Sequence, residues 1–268
     1  MSATRADKLL ADRQLVASRT QAQRLISEGK VRYRLQGSRL QGSQLQGDWV
    51  AVTKASDKIP DNATLDVMFD ANDRFVSRGG LKLAHALASQ HIDVVGRIAL
   101  DVGQSTGGFT DCLLQAGCRK VIGVDVGHDQ LDATLRSDAR VTCLEGVNAR
   151  ELDVAQLLAL CGADLPVSDQ PGAGGFDIIV MDVSFISQTK ILPVLKPLLQ
   201  PQGWLVTLVK PQFELSRSQL GKGGIVRDGA LFQQVKDTVI ACATESGFVM
   251  TAWMDSPIVG GDGNHEFL

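Results

Sequence analysis

From Ile98 onward the chain repeats one unit: a short apolar run, a turn, then a stretch with helical spacing. The apolar runs Ile98–Val102, Val121–Val126, Val141–Leu144, Ile178–Val183 and Trp204–Val209 have no polar face, so they read as buried parallel strands. Helical stretches fall between and after them, near 109–116, 129–136, 153–160, 188–199 and 230–246. This alternation predicts an α/β fold with a Rossmann-like, doubly wound sheet. In such sheets ligands bind beyond the carboxyl ends of the strands, so the residues that end each run are the candidates for chemistry.

The first run ends in Asp101-Val-Gly103-Gln-Ser105-Thr106-Gly107-Gly108-Phe109. A glycine-rich turn between strand and helix lets backbone approach a ligand closely. The spacing is not G-x-G-x-x-G, so the dinucleotide fingerprint fails. The second run ends at Asp125, 24 residues after Asp101, where a carboxylate suits a ribose diol. Asn148-Ala149-Arg150 follows the third run, where a polar side chain or a backbone amide can read an adenine edge. A sulfonium cofactor is cationic and needs no phosphate cradle, which makes an acidic residue such as Asp101 tolerable in the first turn. The joint pattern favours a class I methyltransferase that uses S-adenosylmethionine over a nicotinamide enzyme. The expected cofactor set is Asp101, Gly103, Ser105, Thr106, Gly107, Gly108, Phe109, Asp125, Asn148 and Ala149.

The fourth run ends in Asp182-Val-Ser-Phe185 and the fifth in Lys210-Pro-Gln-Phe-Glu214. The Asp/Asn-Pro-Pro-aromatic motif of amino-group methyltransferases is missing. No proline precedes a cysteine, which argues against a carbon-5 pyrimidine enzyme. Asp182 and Lys210 terminate neighbouring strands and should face one site. A ribose hydroxyl is a poor nucleophile, because its proton must leave as the methyl arrives. A lysine can accept or direct that proton if positive charge or burial lowers its pKa. Lys82 and the sulfonium can supply that charge, while Asp182 orients the ammonium or the hydroxyl. Singly, Asp182 also reads as a helix cap and Lys210 as a surface lysine.

The N-terminal segment differs in charge. Net charge over the chain is −3, yet Arg5, Lys8, Arg13, Arg19, Arg24, Lys30, Arg32, Arg34 and Arg39 outnumber the acids before residue 49. A basic lobe on an acidic body is either a solvated charged face or a phosphate-binding surface. Ser18-Arg-Thr-Gln21 reads as a capping box, Ala22, Leu25 and Ile26 as one helical face, and Gly29 as its end. Arg19, Arg24 and Lys30 then project outward. Val31–Tyr33 and Trp49–Val52 read as short strands flanking a Leu-Gln-Gly repeat over 34–47, an expanded loop. Trp49, Trp204 and Trp253 are dispersed and read as core or edge packing, not as a base-stacking platform.

The five cysteines show no paired spacing and His85, His91, His128 and His265 no ligand spacing, so no metal is expected. No signal peptide or membrane-spanning run is evident. A soluble, cytoplasmic protein is the expectation, without membrane association.

Phe75-Val-Ser-Arg78-Gly-Gly-Leu-Lys82, Asp101–Cys112, Asp182–Ser187, Leu208–Glu214, Gly221–Asp228 and Gly263-Asn-His-Glu266-Phe, in this order, resemble the TlyA family. That family joins a small S-four-type RNA-binding domain to an FtsJ-like methyltransferase domain, and Ser18–Val31 resembles the former. The resemblance implies a small α+β RNA-binding domain over 1–70, a linker and the start of the catalytic domain over 71–84, and the methyltransferase over 85–268. It implies 2′-O-methylation of ribosomal RNA, at cytidine, with ribosomal RNA or ribosomal subunits as partners. By motif the catalytic set is Lys82, Asp182, Lys210 and Glu266, with Lys210 activating the hydroxyl. Arg5, Arg19, Arg24, Lys30 and Arg78 are the expected RNA contacts, Arg78 from a hinge that also presents Lys82. Gln104 stands where members usually carry alanine, and the sequence stops two residues after Glu266, which would loosen that residue. Two other readings remain open at this stage: a nucleotide-dependent oxidoreductase and a non-catalytic RNA-binding or ribosome-assembly protein. Membrane lysis, which the family's haemolysin label suggests, has no amphipathic basic helix behind it.

Overall fold

The N-terminal strands are too short to bury a face alone, so they share a core with two helices. The computed structural model describes residues 2–16, 18–35, 48–70, 73–161, 175–261 and 263–268. It divides into two compact units, residues 1–77 with 132–134 and the remainder. The first contains β1 (Ala3–Arg5), α1 (Ala6–Asp12), α2 (Arg19–Ser27), β2 (Val31–Arg34), β3 (Val50–Ala51), β4 (Lys58–Pro60) and β5 (Thr64–Val67). β1 pairs with β4, and β3-β2-β5 form a second antiparallel sheet. Ser18 caps α2 by accepting the Gln21 N–H at 3.2 Å, and Gly29 follows the helix at φ +70°. Leu10, Ala22, Leu25, Val31 and Ile59 form the core, against which Tyr33, Leu65 and Val67 pack. Strand alternation therefore turns Arg32, Arg34 and Asp66 to the opposite face. Sequence patterning missed β1, β4 and β5, because three or four residues carry too little period to recognise, and α1, whose seven residues make only about two turns. Most of the Leu-Gln-Gly repeat lies outside the described residues.

The second unit follows the strand–turn–helix repeat. It comprises α3 (Gly79–Ser89), β6 (Ile98–Val102), α4 (Gly108–Gln115), β7 (Lys120–Asp125), α5 (Ala133–Arg136), β8 (Val141–Glu145), α6 (Val154–Cys161), β9 (Phe176–Met181), α7 (Leu192–Leu195), β10 (Leu199–Thr207), α8 (Pro211–Glu214) and α9 (Gly229–Glu245). α5 straddles the division between the units. The sheet runs β10-β9-β6-β7-β8, every pair parallel. Leu100, Ile122, Ile179 and Met181 are wholly buried in its centre. Chain order reverses at β6, which has β7 on one side and β9 on the other. The crevice beyond β6 is thus the natural ligand site, and Gly103 stands there.

Three expectations need correction. β8 and much of β10 are half-buried rather than buried, because they are the edges of the sheet. The helix expected over 188–199 breaks into 3-10 turns around the four-residue α7, since Pro193 and Pro197 each remove a backbone donor. Similarly, only Ala133–Arg136 is α-helical in the stretch 129–136.

Candidate active site

The turn after β6 can form only with glycines. Gly103 has φ +84°, and a Cβ on it would lie 2.4 Å from the Asp182 carbonyl oxygen. The turn therefore rests directly on the tip of β9. Gly107 has φ +92°, and its missing Cβ leaves room for Leu131 and Leu135. Asp125, at the end of β7, accepts the Ser105 N–H at 2.8 Å and the Gly127 N–H at 2.7 Å. Each carboxylate oxygen keeps a free lone pair for a hydroxyl. Thr106 is half-buried in the turn, and Gly108 and Phe109 begin α4 with Phe109 facing the core. Asn148 spends its side chain on the next turn: Oδ1 accepts the Arg150 N–H at 3.2 Å and Nδ2 donates to Glu151 at 2.8 Å. Ala149 starts that turn.

Sheet register gathers the four expected catalytic residues. β9 and β10 run side by side, with Thr207 level with Met181. Asp182 and Lys210 follow at their tips, and Lys210 Nζ lies 2.6 Å from Asp182 Oδ1. This is a charge contact whose angle falls outside hydrogen-bond geometry, and Lys210 directs its proton to Ser184 Oγ at 2.9 Å. Val209 and Phe267 exchange both backbone hydrogen bonds, 2.7 and 3.0 Å. The same antiparallel register sets Glu266 opposite Lys210. Glu266 is buried and pairs at 2.5 Å with Lys82, itself buried in α3. Gly260 makes the space, since a Cβ there would meet Glu266 Oε1 at 2.6 Å. Glu266 is therefore held firmly, contrary to the loosening expected from its place near the chain end. Lys82 is likewise no hinge residue offered to solvent.

Residues 75–268 match the FtsJ-like methyltransferase family. The chain belongs to that family. It is 41% identical over 219 residues to Hemolysin A of Brachyspira hyodysenteriae, spanning 82% of this chain and 85% of that protein. It is 37% identical over 264 residues to the 16S/23S rRNA (cytidine-2'-O)-methyltransferase TlyA of Mycobacterium tuberculosis, spanning 98% and 88%. A solved Streptococcus thermophilus structure, described as a hemolysin, superposes with a TM-score of 0.69 at 38% identity, covering 100% of this chain and 87% of that one. The parallel sheet is that of a class I methyltransferase.

Beneath the turn of this FtsJ-like domain lies a buried polar chain. Gln104 Nε2 donates to Thr110 Oγ1 at 2.9 Å, and Thr110 donates to Asp101 Oδ2 at 2.6 Å. All three side chains are buried, and Asp101 Oδ1 and Gln104 Oε1 have no protein partner. Burial pushes the Asp101 carboxyl up to about 7, Asp182 and Asp125 add to the rise, and the Thr110 hydrogen bond opposes it. Asp101 therefore supports the turn from below rather than lining its surface. Gln104, the departure from the family pattern, folds over Gly123, where a Cβ would lie 2.0 Å from its side chain. Thr110 and Ser184 were not singled out from the sequence, although each lies inside a quoted motif, and Gln104 was noted only as a departure from the family pattern. Asn264 was also missed: its Oδ1 accepts the Val226 N–H at 3.0 Å, tying the Gly221–Arg227 loop to the turn that carries Glu266.

In the N-terminal unit the expected RNA contacts are engaged internally. Arg5 and Arg19 both reach the buried Asp7, at 3.0 and 2.8 Å, while remaining about half exposed. The Arg5 hydrogen bond, aided by Arg19 and Gln23, holds the Asp7 carboxyl well below the usual carboxylate range. Arg24 and Lys30 both hold the buried Asp73, at 2.8 and 2.9 Å, and are largely covered. Arg78 belongs to the other unit, exposed at the start of α3. Trp49 is not core: it stands on the outer face of the β3-β2-β5 sheet, with the Arg32 and Arg34 guanidinium carbons each 4.7 Å from its ring.

An apolar groove of about 380 Å³ runs along the open edge of β10, lined by Trp204, Val206, Val239 and Trp253 among others. None of the candidate site residues lines it. Among the described residues no cluster is placed to hold a metal ion, and no helix is long and apolar enough to cross a membrane.

Proposed function

We propose that the protein transfers a methyl group from S-adenosylmethionine to a ribose 2′-hydroxyl of ribosomal RNA, at cytidine, in the cytoplasm. The observation that carries this reading is the Lys210–Asp182 contact at the tips of β9 and β10, against the glycine turn. The family match and the named relatives support it. The turn fits the cofactor because Gly103 and Gly107, at positive φ, bring its backbone close against the strand ends, beside an Asp125 carboxylate whose oxygens keep lone pairs for a diol. Gly103 to Gly108 and Ala149 would hold it, with the Asp125 carboxylate taking its ribose diol. When bound, it supplies an electrophilic methyl group.

The chain's own residues manage the proton. Lys210 accepts or directs the proton of the ribose hydroxyl, and Ser184 fixes the lysine's rotamer. Asp182 orients the ammonium by charge. Lys82 is neutralised by Glu266, so this pair positions rather than adds net charge. Residues 1–70 act as the RNA-binding domain and 85–268 as the methyltransferase, joined through 71–84; the division between compact units falls after Ser77.

Lys210→Ala should abolish methyl transfer to ribosomal subunits while S-adenosylhomocysteine binds within about threefold of wild type, measured by calorimetry. Retained transfer would remove Lys210 from the mechanism. Wild-type protein that binds subunits but transfers no methyl would favour an assembly factor.

A further inference from the structure

The three-stranded sheet of the N-terminal unit has one face on the core, and the residues described on its other face are partly exposed. Val31, Tyr33, Leu65 and Val67 take the core side. The other side carries Arg32, Arg34 and Asp66, and the pairing of Tyr33 with Val50 sets Trp49 directly across from Arg34. Both guanidinium groups stack on the indole at 4.7 Å. Arg32 is also held by Asp66 at 2.7 Å. Among the described residues no carboxylate reaches Arg34. Among these residues its charge is uncompensated, and its guanidinium carbon lies over the ring.

We propose that this face is an RNA-binding surface, separate from Arg5 and Arg19, which takes a single-stranded segment. The Arg34 guanidinium edge meets a phosphate, while the indole and the stacked guanidinium planes offer surface to an unstacked base. An aromatic ring interleaved with arginines on a partly exposed antiparallel sheet has the chemistry that grips single strands, because every base has a π-face and every phosphate accepts from arginine. A duplex keeps its bases stacked and cannot use the ring. The internal pairing of Arg24 and Lys30 with Asp73 strengthens the argument, since it leaves those two less available for phosphate.

This inference rests on RNA being the substrate, and the experiment separates the two. The probes are a labelled oligocytidylate and a blunt RNA duplex of equal length, titrated against the full chain by anisotropy over a salt series. Trp49→Leu and Arg34→Gln should each weaken oligocytidylate binding roughly five- to fiftyfold. Both should leave duplex binding within about twofold. Arg34→Gln should also lower the salt slope by about 0.7, the value for one phosphate on a single strand. Arg34→Lys should keep the slope and lose affinity, because charge stays while the planar stack goes. S-adenosylhomocysteine binding should be unchanged in all three, and if Trp49→Leu does not fold, the two Arg34 variants decide. Wild-type affinity and slope in both Arg34 variants would overturn the site. Absent methyl transfer by wild type, with these binding losses intact, would sink the proposed reaction and leave this surface standing.

Discussion

A carboxyl group buried without a cation lowers its cost by keeping its proton. Asp101 is that case, with its carboxyl raised to about 7 from an ordinary 3.8. Between these values the folded chain holds a proton that the unfolded chain has released. Stability is present in full below about pH 4 and drains away as pH rises through 7. Asp101→Asn carries no such charge, so the ligand-free variant should melt above wild type at pH 8, with the gap narrowing as pH falls to 4. A gap that is constant with pH would show that Asp101 is not the titrating group. Gln104 and Gly123 make a second residue-scale case. Gly123→Ala should destabilise by about 1–3 kcal/mol through overpacking, because Gln104 cannot move without leaving Thr110. Adding Gln104→Ala should restore most of the loss in denaturant melts; simple additivity of the two changes would mean the side chains do not compete for that space.

Elements decide where those residues meet. The single backbone exchange between Val209 and Phe267 sets the register that brings Glu266 opposite Lys210. Phe267→Pro removes one of its two hydrogen bonds, so turnover should fall at least tenfold while S-adenosylhomocysteine affinity holds, measured by steady-state rates and calorimetry. Equal losses in both would mean that the bridge supports the whole unit rather than Glu266. The long parallel strands were legible in the sequence because an apolar run buried on both faces has no competing reading. Asp182 and Lys210 were legible as strand-end residues for the same reason. Glu266 came only through family resemblance, and its pairing with Lys82 was not foreseen, since no periodicity links residues so far apart in the chain. Asp7 and Asp73 were not legible at all: an acid in a basic segment reads as charge balance until the fold buries it between arginines and lysine. Whether Trp49 packs in the core or at an edge was not legible, because β3, the edge strand it precedes, has only two residues to show which face is inward.

At the scale of the whole molecule, charge is unevenly shared along a chain of net −3. The basic N-terminal unit should carry most of the salt dependence of RNA binding. A chain lacking residues 1–77 should bind S-adenosylhomocysteine normally, yet engage ribosomal RNA more weakly and with a flatter salt slope. An unchanged slope would move the docking surface to the methyltransferase unit. Within that unit, Gly103 lies against the carbonyl of Asp182 with no room for a methyl group between them. On the proposed function, what seats the donor and what handles the acceptor's proton thus share a wall. Warming that slackens one slackens the other, so grip on the donor and speed of reaction should fade together on heating, with no temperature at which the chain clutches its cofactor but has forgotten how to use it.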